Sequence, residues 1–227
     1  MVEKTWEQSF QELSHISSTP QASTGKDKAD FGGVLVASGS SIKSGADLAS
    51  KKVAVNTLNN INDTTVRQAI RKAGGDPKTT EFIELAFPDM QAAHERGQVD
   101  AIQVVEPFLS RGLSAGATLI ASNYVDTAPE LTIGAYFSSA KTVAEKPDLV
   151  KKFTAAMKES LDFATANPDK VREVLLTYTK IDEAATKELV LPSYVSEINR
   201  PALDTLIQLS KDDGLLQADP KLDTLLP

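Results

Sequence analysis

Between the strand-like run Val53–Val55 and the helical pattern VRQAIRKAGG, the chain places Thr57, Asn59, Asn60, Asn62, Asp63, Thr64 and Thr65 on one connection. The chemistry these residue types offer is hydrogen bonding, not bond breaking. The first backbone N–H groups of a helix have no partner inside it, and the macrodipole places partial positive charge there. A strand feeding a helix through such a turn is therefore ready to receive an anion. Side chains of Thr57, Asn59, Asn60, Asn62 and Thr64 add donors to that surface. A plainer reading stands beside it: Asn62 or Asp63 caps the helix, and the other asparagines accommodate turn dihedrals. Asp63 repels an anion if it faces the site. It therefore either turns outward or tilts the choice towards a zwitterion or a neutral heterocycle.

A second candidate is QVVEPF, Gln103 to Phe108. Gln103 and Glu106 interrupt or end an otherwise apolar strand, and ligands of open α/β sheets bind beyond the carboxyl ends of strands. Glu106 is either a ligand acceptor or a capping carboxylate. A third is GAYF, Gly134 to Phe137, where alternation puts Tyr136 and Gly134 on one face and Ala135 and Phe137 on the other. Tyr136 is either a cleft residue or a core residue.

Composition narrows the classes. The 227 residues carry a net charge of −7, which argues against nucleic acid and against anionic membrane surfaces. With no cysteine, disulfides, thiol catalysis and thiolate metal centres are excluded. The two histidines, His15 and His94, lie far apart in sequence. His94, beside Glu95 and Arg96, reads as part of a solvated helix face. No phosphate-binding glycine fingerprint, GxSxG or useful carboxylate pair appears, so no cofactor and no metal is expected. Residues 1–16 hold no apolar run of signal-peptide type, and no stretch is long enough to span a membrane.

The elements that must position these residues alternate. Residues 3–16 form a short amphipathic pattern on Trp6, Phe10 and Leu13, and residues 17–30 read as a loop. Strands are expected at 31–38, 51–55, 80–87, 100–108, 118–122 and 131–139. Between them come short helices at about 44–50, 63–73, 88–97 and 108–117, the second of these ending at Gly74-Gly75. After residue 140 the pattern is helical only, at about 141–167, 168–178, 182–190 and 199–213, with breaks at Pro147, Pro168, Pro192 and Pro201. Strand–helix alternation followed by helices implies an open α/β sheet with helical packing added at the C-terminus.

Read in order, IKSGADLASKKVAVNTLNNINDTTVRQAIRKAGGD, FIELAFPDMQAAHERGQVDAIQVVEPF and GAYFSSAKTVAEKPDLVKKFTAAMKESLDFATANPDKVREVL resemble one family. It is that of the substrate-binding proteins of ABC importers, in the NMT1/THI5-like, SsuA/TauA-type branch for nitrate, sulfonates, taurine and thiamine-pyrimidine precursors. The resemblance covers roughly residues 18–227. It implies an α/β, type 2 periplasmic-binding-protein-like fold of two lobes with a helical C-terminus. Family members carry further strands of lobe 1 ahead of this point, so the first lobe is expected to be incomplete. The implied divisions are 1–43, an atypical N-terminal segment, loop and first crossover strand; 44–125, lobe 2; and 126–227, the return crossover and C-terminal helices of lobe 1.

The ligand contacts this implies are Thr57, Asn59, Asn60, Asn62, Thr64, Gln103, Glu106 and Tyr136. The implied partners are a small polar organic molecule or anion and a membrane permease, with self-association through the incomplete lobe. The implied place is outside the cytoplasm. Two rivals remain: a truncated homologue without ligand function, and a thiamine-pyrimidine-synthesising enzyme, which uses a histidine, pyridoxal phosphate and iron.

Overall fold

Apolar runs four to five residues long, rich in valine, become the three central strands of a sheet, and both faces of these are covered. A computed structural model describes residues 19–23, 30–179, 181–220 and 222–226. The strands are β1 (Thr19–Ser23), β2 (Gly32–Val36), β3 (Lys52–Val55), β4 (Glu81–Glu84), β5 (Ala101–Val105), β6 (Thr118–Ala121) and β7 (Thr132–Tyr136). Around them lie α1 (Ile61–Lys72), α2 (Phe87–Glu95), α3 (Phe108–Ser114) and α4 (Asn123–Thr127). The C-terminal part holds α5 (Ala140–Glu145), α6 (Pro147–Ala166), α7 (Pro168–Tyr178), α8 (Glu183–Glu188), α9 (Arg200–Asp212) and α10 (Leu222–Leu225).

Five strands form one sheet in the order β4-β3-β5-β2-β6. β3 runs parallel to β4 and β5, whereas β2 runs antiparallel to β5 and β6. Alternating residues divide between the two faces. Val34, Val36, Val53 and Ala101 pack with Val66 and Ile70 of α1, and Leu35, Ala54, Ile102 and Val104 pack with Met90 and Ala93 of α2 and with Leu109 of α3. Burial on both faces explains why these strands read as continuous apolar runs.

A third cluster joins Tyr124, Leu131 and Ala202 to Phe31, Ile61, Ile133 and Leu206, and so seats α9 against the sheet. Arg71 of α1 and Asp213, the C-cap of α9, make an ion pair across the same junction. β7 leaves the sheet and pairs antiparallel with β1.

Several expectations change. Residues 17–30 are not all loop, because Thr19–Ser23 pairs with β7. The short helix expected at about 44–50 is a 3-10 helix, Gly45–Leu48, with Asp47 Oδ2 accepting from the N–H groups of Lys43 and Ser44. The break expected at Pro147 falls between α5 and α6, since proline favours a helix start and cannot donate within one. The segment 123–127, read as neither helix nor strand, is α4. The amphipathic pattern at 3–16, with His15, lies outside the described residues.

Candidate functional site

The N-terminus of α1 is built by a reciprocal cap. Asn60 takes extended dihedrals, and its Oδ1 accepts from the Asn62 N–H at 2.8 Å. Asp63 reaches back: its Oδ1 accepts from the Asn60 N–H at 2.8 Å and its Oδ2 from the Asn59 N–H at 3.1 Å. This is a capping box with Asn60 at the cap, in place of the Asn62 or Asp63 expected from sequence. Asp63 is fully buried, with Arg67 Nε 3.7 Å from its Oδ2. Burial raises its carboxyl above the ordinary range against the pull of the Asn60 and Asn59 N–H groups and of Arg67. Asn59 sits at φ +58°, a left-handed conformation that asparagine tolerates better than most residues.

Behind the cap runs a buried polar chain. Asn62 Nδ2 donates to Asn56 Oδ1, and Asn62 Oδ1 accepts from the Tyr124 hydroxyl. Gln103 Nε2 lies 3.5 Å from that hydroxyl and 3.3 Å from the Val104 carbonyl, while its Oε1 has no partner among the described residues. Burial, with the Asp30 charge adding to it, lifts the Tyr124 phenol well above its usual range. Asp30 fixes the tyrosine backbone by accepting from the N–H groups of Gly32, Tyr124 and Val125. The ring lies directly on Gly32, where a Cβ would come within 2.5 Å of Tyr124 Cε2.

In front of the cap opens a cavity of about 540 Å³. Asn59, Asn60 and Thr64 form one wall, and Ile133 to Ala135 of β7 form another. Leu203, Leu206 and Ser210 of α9, with Leu215, Leu216, Leu222 and Leu226, close much of the remainder. No charged side chain lines it among the described residues. A second, more open depression lies among Arg200, Asp204, Asp219 and Asp223, where Arg200 and Asp223 pair at 2.6 Å.

Three of the residues singled out from sequence, Asn59, Asn60 and Thr64, therefore meet at the cavity. Asn62 and Gln103 are buried behind it in the polar chain. Thr57, Glu106 and Tyr136 do not line it. Thr57 is exposed. Glu106 is half-buried, and its carboxylate accepts from Ser110 N–H at 3.0 Å, Ser110 Oγ at 2.7 Å and Val190 N–H at 3.1 Å. These bonds start α3 and hold the chain after α8, as the capping alternative requires. Tyr136 meets Phe153 edge-on at 5.6 Å. His94 is half-buried, not on a solvated face, and burial lowers its imidazole below the usual range.

Sequence reasoning missed Tyr124, Asn56 and the leucines of the C-terminal wall. Asn56 was legible as the polar end of β3. Tyr124 carries no local signal, since its partners lie 62 and 21 residues away.

A family model described as "NMT1/THI5 like" matches residues 28–171. A Brucella abortus protein, named only as a binding protein, is 30% identical over 145 residues, 63% of this chain and 45% of its own length. The chain thus spans about half the length of that relative. Among solved structures, the alkanesulfonate-binding protein SsuA of Xanthomonas axonopodis pv. citri, bound to MOPS, superposes with a TM-score of 0.74 at 18% identity. That likeness covers 95% of this chain and 76% of the other. The desulfurization enzyme DSZB superposes at 0.62, also at 18% identity, over 95% of this chain and 76% of its own. The fold is thus that of the type 2 periplasmic binding proteins.

Proposed function

The chain belongs to the NMT1/THI5-like family, and from that premise we propose that it is the solute-binding component of an ABC importer for a small organic molecule. The observation that carries this is the cavity in front of the α1 cap, where a polar wall from the sheet unit faces β7 and α9. Pockets of this size, mostly apolar with a few convergent polar groups, are typical of small-molecule sites. In this reading residues 44–125 form the second lobe, and residues 126–227 return to the first. Ligand would close the two about the crossover and present the closed form to a permease outside the cytoplasm. Among the described residues no helix is long and apolar enough to cross a membrane, and in this reading the permease supplies the spans. Apolar side chains exposed on α6 and α7, among them Phe153, Phe163 and Val174, support self-association through the first lobe.

The likeness to DSZB favours an enzyme as the second reading. The cavity wall supplies no titratable side chain among the described residues to act as acid or base, and this supports binding without turnover. Asn59→Gly tests the site. Glycine accepts the positive φ, so the fold is kept while the amide at the wall is lost. Calorimetry against nitrate, taurine, alkanesulfonates, alkyl amides and aminopyrimidines should find a ligand whose affinity falls in the variant at unchanged melting temperature. Unchanged affinity for every compound that binds the parent would remove the site from this turn.

A further inference from the structure

The charge around the cavity narrows what enters it. Resting on the solute-binding reading above, we propose that the cavity takes an uncharged molecule with one amide-like or hydroxyl-like end and an apolar body, and discriminates against anions.

The α1 terminus has the geometry of an anion site, but four of the N–H groups around it are taken by its own residues. The N–H groups of Asn59 and Asn60 are taken by Asp63, and that of Asn62 by Asn60 Oδ1. The Asp63 N–H is directed to the Asn60 side chain in the same box. The carboxylate that completes the cap also places a negative group behind the polar wall, and Arg67 at 3.7 Å offsets part of its charge.

The cations of the neighbouring helices each lie against a group of the fold, although Arg67 Nε and Arg71 Nη1 have no hydrogen-bond partner among the described residues. On α1, Arg67 lies 3.7 Å from Asp63 and 4.4 Å over the Phe82 ring, Arg71 pairs with Asp213, and Lys72 donates to the Asp126 carbonyl. On α9, Arg200 pairs with Asp223 and Lys211 with Asp219, each at 2.6 Å. An anion entering the cavity would lose its water and meet no counter-charge among the described residues, which is strongly unfavourable. A neutral head loses less on entry. The Asn59 amide and the Thr64 hydroxyl supply both donors and acceptors to such a head, while the Asn60 amide is held by the cap and by Asn56. Leu203, Leu206 and Leu216 supply the apolar enclosure for its body.

The test is calorimetric titration of the full chain with three probes of one length: hexanamide, hexanesulfonate and hexylammonium. Hexanamide is expected to bind about tenfold or more tightly than hexanesulfonate, because burial of an uncompensated charge is the larger loss. Hexylammonium is expected to bind no more tightly than hexanamide. Hexanesulfonate binding as tightly as hexanamide, or hexylammonium binding more tightly, overturns this inference and leaves solute binding standing. Silence from all three probes overturns both. Asp63→Asn should narrow the amide–sulfonate gap several-fold if it folds, and an unchanged gap in the folded variant overturns the role given to Asp63. If the variant fails to fold, the ranking in the parent chain decides.

Discussion

The sheet unit and the C-terminal helices treat apolar surface in opposite ways. In the sheet unit, Leu35, Val53, Val66, Ile70 and Met90 are all at 0% exposure. In α6, a helix of twenty residues, only Leu161 is buried, while Leu149 and Phe163 are each 58% exposed. Propensity does not distinguish the two regions, since both hold well-formed elements. What differs is the partner surface: the five-stranded sheet carries its own helices on both faces, whereas α6 and α7 present apolar residues that nothing in the described residues covers. The lesson is that the first region is held by packing and the second by local helix formation and by the seat of α9 on the sheet unit.

The largest test of that contrast is truncation in the two cores. Leu35→Ala should lower unfolding free energy by about 2–5 kcal/mol, read from urea titration, because it opens a cavity in a close-packed sheet. Phe163→Ala should change it by less than about 0.5 kcal/mol, as expected of an exposed site. Equal losses would break the comparison. Next comes the junction. Arg71→Ala leaves the Asp213 carboxylate buried without its partner, and since the arginine side chain is itself 28% exposed a loss of about 1–3 kcal/mol is expected. A loss confined to unfolding of the C-terminal helices, seen by hydrogen exchange, would sharpen the division.

Removing the Tyr124 hydroxyl with Phe should lower stability by about 1–3 kcal/mol, because Asn62 Oδ1 and Gln103 Nε2 each lose a buried partner. Chemical shifts of the Asn56 and Asn62 side-chain amides should move with it. Asn60→Ala should lose about 0.5–2 kcal/mol through the cap, against almost nothing for Asn59→Gly.

The smallest effect concerns pH. Burial holds the His94 imidazole below its ordinary 6.5, so on acidification the unfolded chain binds that proton first. The stability this group contributes is whole above about 6.5 and fades as pH falls through the folded value. His94→Gln should flatten that part of the pH–stability curve. Asp30 and Asp63 act oppositely: burial raises both above 3.8, so their contribution grows as pH falls through the folded values and is complete below 3.8.

The alternation of the chain made the sheet unit legible, because strands buried on both faces must be apolar throughout. The cap of α1 was legible in principle, since Asn60 and Asp63 stand at the three-residue spacing of a capping box, but the run of asparagines hid which one led. β1 was not legible: Thr-Pro-Gln-Ala-Ser has no alternation and is a strand only because β7 offers it an edge. At the site, sequence supplied the polar wall and missed the apolar one. The wall from α9 to Leu226 is brought there by tertiary packing over more than 130 residues of chain, and nothing local to those leucines marks which cavity they close. Glu106 illustrates the converse, a carboxylate in a ligand-like position whose three hydrogen bonds serve the fold.

The strand order also sets a timetable for synthesis. β2 lies between β5 and β6, so the fully apolar run 32–36 leaves the ribosome well before either neighbour, at 101–105 and 118–121. At about 5–20 residues per second, that interval lasts roughly 3–14 s for β5 alone. Throughout it the nascent chain carries a sticky segment with no edge to join, so stalled chains ending soon after β4 should be the ones that chaperones hold and proteases cut.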